Sequence, residues 1–293
     1  MLIALFLALG SSPSDSGPEV RVARANGTGL AYTNLGRGTP VVLVHGSLAD
    51  YRMWSPQVSA LSRRYRVISF SRRFHWPNAA RTATDPDYSN ALHAADLAAL
   101  IRKLGLGRVH LVGHSAGGAI ALQMALEHPK LVRSLTLIEP GIYSALPQTD
   151  EGRSALAEVA RASTEARDAV ARNDEAAAIR ILMDLVFRPR TFAELAADIR
   201  QSLLDNAPSL RAQFASAVAP PAFSCADAAR LRMPVLLLEG EETAPEFRLI
   251  NDELERCLPR RERVRIRSAG HGLIFEHPAL VNAAILRFLS QKR

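Results

Sequence analysis

Cysteine is almost missing from this 293-residue chain: Cys225 and Cys257 are its only two. Two cysteines make neither a disulfide framework nor a metal centre. In an oxidising compartment they could pair. In a reducing one they are buried thiols, the reading preferred here. Lysine is scarce as well, 3 against 33 arginines. A nucleic-acid surface clusters its basic residues and draws on both types. Here the arginines are scattered, so the net charge of +7 is read as an arginine-biased surface, and no nucleic-acid partner is expected. Only Arg260-Arg261 and the alternating Arg263, Arg265 and Arg267 fall close together. Alternation on a strand would place those last three on one solvated face.

Long apolar runs are also missing. Met1 to Gly10 is nearly all apolar but too short to span a bilayer, and nothing later would serve, so no integral membrane span is expected. The run resembles the apolar core of a signal peptide, with Ala8-Leu9-Gly10 as a small-x-small cleavage site and Ser11 to Pro18 as a polar linker. Export, periplasmic or secreted, is favoured over a cytoplasmic location, although no basic residues precede the run. The chain carries no metal, nucleotide or flavin motif and no internal repeat, so no cofactor or metal is expected.

What is present is an alternation of strands and helices. Val20 to Ala23 and Leu30 to Leu35 read as a hairpin with Asn26-Gly27 as its turn. Val41 to Val44, Tyr65 to Phe70, Val109 onward, Leu131 to Ile138, Val235 to Glu239 and Arg263 to Ile266 read as strands. Helices are expected over Asn90 to Leu104, Ala119 to Glu127, Pro245 to Cys257 and Pro278 to Ser290. This rhythm predicts an α/β fold, a mostly parallel sheet covered by helices on both faces. From about Ser144 to Ala222 no strand is visible. Four helical stretches, Ala155 to Arg172, Glu175 to Phe187, Phe192 to Leu204 and Ser209 to Val218, interrupt the alternation as an insertion. The expected organisation is an N-terminal segment (1–18), a core (19–140 and 223–293) and a helical cap (141–222).

The chemistry centres on Gly113-His114-Ser115-Ala116-Gly117. An apolar strand leads into it and a helix leaves it. A serine hydroxyl is a weak nucleophile and must stand clear of its own backbone. A sharp strand-to-helix turn pushes it out, and glycines two residues away on each side relieve the crowding. The base should lie in a loop at the carboxyl end of a late strand, where ligands collect in an open parallel sheet. Ala269-Gly270-His271-Gly272 fits, and His271 is the expected base. His277 sits at a helix start, His114 should face the protein, and His45 reads as structural. Two N–H donors are needed for an oxyanion. Ala116 supplies one. The loop His45-Gly46-Ser47-Leu48 supplies the other, from Ser47 or, failing that, Leu48. The acid that orients His271 is either Glu139, which ends the strand after the nucleophile helix, or one of Glu241 and Glu242 in the later loop.

On these residues the chain resembles the α/β-hydrolase fold superfamily. The resemblance rests on Val44-His45-Gly46, the Ser115 turn, the cap position and Gly270-His271, and covers nearly everything from Glu19 to Arg293. It implies the order serine, acid, histidine. Members commonly place an Asp three residues after the glycine ending the later strand, where this chain has Thr243. Haloalkane-dehalogenase-like and lactonase-like members carry the acid after the earlier strand instead, which favours Glu139. A second departure is Phe70-Ser71-Arg72-Arg73-Phe74-His75-Trp76-Pro77. Arg72, Arg73, His75 and Trp76 could line the pocket there, the arginines selecting an anionic substrate.

The expected function is therefore a serine hydrolase, carboxylesterase- or lactonase-like, which cleaves a small or medium ester, lactone or thioester through an acyl-enzyme on Ser115. The same triad could instead run perhydrolase, C–C hydrolase or acyltransfer chemistry. A non-catalytic receptor on this fold is the reading of another class. The expected partner is a small-molecule substrate, and the chain a monomer or homodimer.

Overall fold

The computed structural model describes residues 18–78, 87–218 and 222–291. The signal-like segment lies outside them. A hairpin, β1 (Arg21–Ala25) and β2 (Thr28–Leu35), opens the fold, and Asn26 and Gly27 both take positive φ at its turn. Then come β3 (Pro40–Val44), α1 (Ser55–Leu61), β4 (Arg66–Phe70), α2 (Asn90–Lys103), β5 (Val109–His114), α3 (Ala116–Glu127) and β6 (Val132–Ile138). Four helices follow without a strand: α4 (Asp150–Ala171), α5 (Glu175–Val186), α6 (Ala197–Asp205) and α7 (Pro208–Ala215). The chain returns through α8 (Cys225–Arg230), β7 (Val235–Gly240), α9 (Pro245–Cys257), β8 (Arg261–Ile266), α10 (Leu273–Glu276) and α11 (Pro278–Ser290).

The eight strands form one sheet in the order β1-β2-β4-β3-β5-β6-β7-β8. Only the pairings of β1 with β2 and of β2 with β4 are antiparallel. Val41 to Val44 of β3 and Val235 to Leu238 of β7 are continuous apolar runs because both faces of the sheet are covered there. Val42 and Val44 join the core under α2, α3 and α9, whereas Val41 and Leu43 point the other way, to Trp54, Leu61 and Phe288. All six parallel strands end at one edge, so the loops after Val44, Phe70, His114, Ile138, Gly240 and Ile266 meet there.

The four inserted helices have their own apolar cluster, with Ala166, Ile179, Met183 and Leu210, and Leu48 from the loop after β3 is buried in it. The single helix expected from Phe192 is instead a short 3-10 turn, Phe192–Glu194, and then α6. The Glu194 carboxylate turns back to accept the Thr191 N–H, and Leu195 is extended.

Two expectations need correcting. Cys225 and Cys257 are not buried thiols; they form a disulfide tying α8 to α9, with Cα atoms 4.9 Å apart. Nor does Arg263 face water. It is almost fully buried and meets Glu239, Asp252 and Glu255, because α9 brings its carboxylates over β8. No helix among the described residues is long and apolar enough to cross a membrane.

Candidate active site

Ser115 sits between β5 and α3 with φ 54° and ψ −125°, a conformation unfavourable for any residue with a Cβ. The turn is held by backbone: the Ser115 N–H donates to Ile138 O (2.9 Å), and Ser115 O accepts from Gly118 and Gly141. A Cβ on Gly113 would lie 2.4 Å from Gly117 O, and one on Gly117 would lie 2.2 Å from Val44 O. Both glycines are thus demanded by close backbone approach.

His271 lies in the loop after β8 and is buried. Its Nδ1–H donates to Glu139 Oε2 at 2.7 Å. Nε2 is then the basic nitrogen, free to take a proton. Glu139 directly follows β6 at φ 43°, also in the left-handed region, with its carboxylate fully buried. That carboxylate also accepts the Gly240 N–H and the Thr243 hydroxyl, both at 2.7 Å. Burial drives both partners toward neutrality, raising Glu139 above the usual carboxylate range and lowering His271 below the usual histidine value. The donors from Gly240 and Thr243 oppose the first of these effects, so the state they support is carboxylate with neutral imidazole. Ser115 and His271 line one cavity of about 670 Å³. Among the described residues Ser115 Oγ makes no hydrogen bond, and such contacts commonly close only with substrate in place.

Glu241 and Glu242 are exposed. Ser47 lines the same cavity as Ser115, and Gly46 lies against it: a Cβ there would be 3.2 Å from Ser115 Cβ. No acceptor among the described residues takes the Ser47 or the Ala116 N–H. Leu48 lines this cavity as well, and its side chain packs into the apolar cluster of the inserted helices. His114 is buried, its Nε2–H donating to His271 O at 3.0 Å, and it also lines the Ser115 cavity rather than facing only the protein.

The loop after β4 is placed differently from expectation. The Arg73 guanidinium is buried against Asp96 of α2, with two hydrogen bonds of 2.7 and 2.8 Å, and also donates to Asn26 O. It does not line the Ser115 cavity. A buried carboxylate from the same core has claimed it. His75 is buried with its Nε2 2.8 Å from the Tyr88 hydroxyl. Trp76 stands outside under Arg52, whose guanidinium carbon lies 3.8 Å from the ring centre. Arg72 lines a neighbouring cavity of about 1010 Å³ that shares Ser47, Tyr143, Val159, Ser163 and Gln213 with the first.

Three contributors escaped the sequence reading. Thr243 and the Gly240 N–H hold Glu139, and Phe247 of α9 stacks on the His271 ring, with centroids 3.9 Å apart and planes 13° from parallel. Thr243 had left a trace, as the residue standing where relatives have Asp. Phe247 had none, because only the packing of α9 brings it there.

A family model described as the alpha/beta hydrolase fold matches residues 39–278. The chain belongs to this family. A candidate carbamate hydrolase, RutD, of Serratia proteamaculans is 38% identical over 114 residues, 37% of this chain and 42% of that protein. The match thus spans under half of that relative's length. Among solved structures, carboxylesterase CesB of Bacillus subtilis superposes with a TM-score of 0.75 at 20% identity, covering 94% of this chain and 92% of that one. A thermophilic esterase from Thermogutta terrifontis does so at 0.74 and 25%, covering 93% and 98%. The likeness to CesB is one of fold.

Proposed function

We propose that the protein is a serine hydrolase that cleaves small or medium esters, lactones or thioesters. Ser115 Oγ attacks the carbonyl carbon while His271 Nε2 takes its proton. The Ser47 and Ala116 N–H groups hold the oxyanion. The leaving alkoxide or thiolate departs with the proton from His271, and water, activated by the same imidazole, hydrolyses the acyl-enzyme. Glu139 fixes the histidine tautomer and stabilises the imidazolium. The observation that carries this reading is the His271–Glu139 hydrogen bond beside a serine at a strained turn in one cavity.

The insertion 141–222 acts as a lid. Val159, Leu182, Met183, Val186, Phe187 and Ile199 line the cavity from above and make its wall apolar, suited to an acyl chain. The relatives named above favour acyl-type substrates, and a carbamate would meet the same groups. Ser115→Ala is expected to remove turnover of p-nitrophenyl esters by at least about 10⁴-fold with the thermal melting curve unchanged. An unchanged rate would dismiss the assignment.

A further inference from the structure

Arg72 is buried, yet no carboxylate among the described residues pairs with it. Its Nη2 donates to Gly46 O at 2.9 Å, and its Nε is buried with no hydrogen-bond partner among the described residues. A buried, unpaired guanidinium is costly, so this placement calls for a reason beyond stability. His45 meets the same carbonyl, its Nδ1–H donating to Gly46 O at 2.8 Å. The other ring nitrogen, Nε2, accepts the Arg72 backbone N–H at 2.9 Å. Both contacts require one neutral tautomer, and burial holds His45 well below its ordinary value, which keeps it neutral. The Arg72 end is anchored in turn, because Asn78 Nδ2 donates to Arg72 O.

The Gly46 carbonyl and the Ser47 N–H belong to one trans peptide unit and point in opposite directions. Two donors on the carbonyl therefore fix the direction of the amide hydrogen. Gly46 lies against Ser115 and His114, and Ser47 lines the Ser115 cavity, which puts this peptide beside the reacting centre. We propose that Arg72, together with His45, is a positioning residue that holds the 46–47 peptide with its N–H toward the oxyanion. This rests on the reading of Ser47 N–H as an oxyanion donor. Arg72 then touches no substrate, and its charge acts through one carbonyl.

The test uses the full chain with Arg72→Met, Arg72→Lys and His45→Asn. Kinetics on p-nitrophenyl esters are combined with inhibition by a trifluoromethyl ketone and with thermal melting. Arg72→Met is expected to lower kcat about 10- to 10³-fold, the scale of losing an oxyanion donor, with KM within about threefold. Ketone affinity should fall by the same factor as kcat/KM, since both report the oxyanion. Arg72→Lys should retain more activity than Arg72→Met. His45→Asn should stay within about tenfold of wild type, because the amide Nδ2 can replace the Nδ1 donor. The melting temperature of Arg72→Met should be unchanged or higher, as when a buried unpaired charge gives way to an isosteric apolar chain. A purely structural role predicts the opposite, lost stability with kcat preserved in the folded fraction. If Arg72→Met does not fold, that structural role is supported and the clamp is rejected unless folded Arg72→Lys shows the kcat and ketone losses in parallel. A rise in KM confined to anionic esters, with kcat unchanged, would make Arg72 a substrate contact and overturn the clamp. Fluorophosphonate labelling of Ser115 in wild type separates the cases: labelling with clamp variants at full kcat rejects the clamp alone, whereas no labelling rejects the underlying reading.

Discussion

Glu139 occupies a backbone conformation that disfavours side chains, with a fully buried carboxylate, and both costs serve one hydrogen bond. The left-handed turn at the end of β6 directs the carboxylate along the sheet edge to His271, and Gly240 and Thr243 satisfy its remaining lone pairs. Replacing it by Gln keeps the shape but removes the charge that stabilises the imidazolium. Glu139→Gln is expected to lower kcat roughly 10²–10⁴-fold, measured where His271 is neutral. The double variant Glu241→Gln, Glu242→Gln, altering two exposed side chains, should lose less than about tenfold. The reverse pattern would move the orienting acid to the later loop. In the sequence the choice between these carboxylates was positional. In the structure it is geometric, since one is buried on the imidazole and two are in water.

At the scale of elements, the strands and the nucleophile turn were legible because their signals are local. A continuous apolar run marks a strand buried on both faces, and Gly-x-Ser-x-Gly between strand and helix marks the turn. The loop after β4 was not legible. Its arginines read as pocket residues, yet Arg73 is bound to Asp96, 23 residues away on α2, and sequence carries no signal for that pairing. The break before α6 was invisible for the same reason, and the pairing of Cys225 with Cys257 was legible only as one of two alternatives, because sequence does not show that α8 and α9 meet. The turn itself tolerates little. Gly117→Ala would place a Cβ 2.2 Å from Val44 O and 2.4 Å from His45 O, both backbone atoms that no rotamer change can move. This variant is expected to cost at least about 3 kcal/mol in urea unfolding, the upper part of the range for overpacking, and to lose activity through the shifted 45–47 loop. A near-wild-type midpoint would show that the contact between this helix and β3 is looser than described here.

The whole molecule carries an unusual load of buried neutral histidines. Burial holds His45, His75 and His93 well below the ordinary value, His110 at about 4 and His114 at about 3. Each takes up a proton on unfolding at any pH between its folded value and about 6.5. Over that interval the unfolded chain binds more protons, so stability rises with pH and is lost as pH falls below about 6.5. One such histidine contributes about 1.4 kcal/mol per pH unit, and several act together. The melting temperature should therefore be nearly flat from pH 7 to 8 and fall steeply below pH 6. A flat profile down to pH 4.5 would mean that these imidazoles are not buried in solution.

The measurement that bears most directly on the central claim is mass spectrometry of the protein after incubation with a fluorophosphonate. A serine activated by His271 displaces fluoride, and the phosphonyl group remains on its oxygen. The expected result is a single adduct whose peptide maps to Ser115, abolished in Ser115→Ala and strongly slowed in both His271→Ala and Glu139→Gln. Ester turnover with no adduct, or an adduct on another residue that leaves Ser115 untouched, would contradict the assignment of Ser115, His271 and Glu139 as one hydrolytic site.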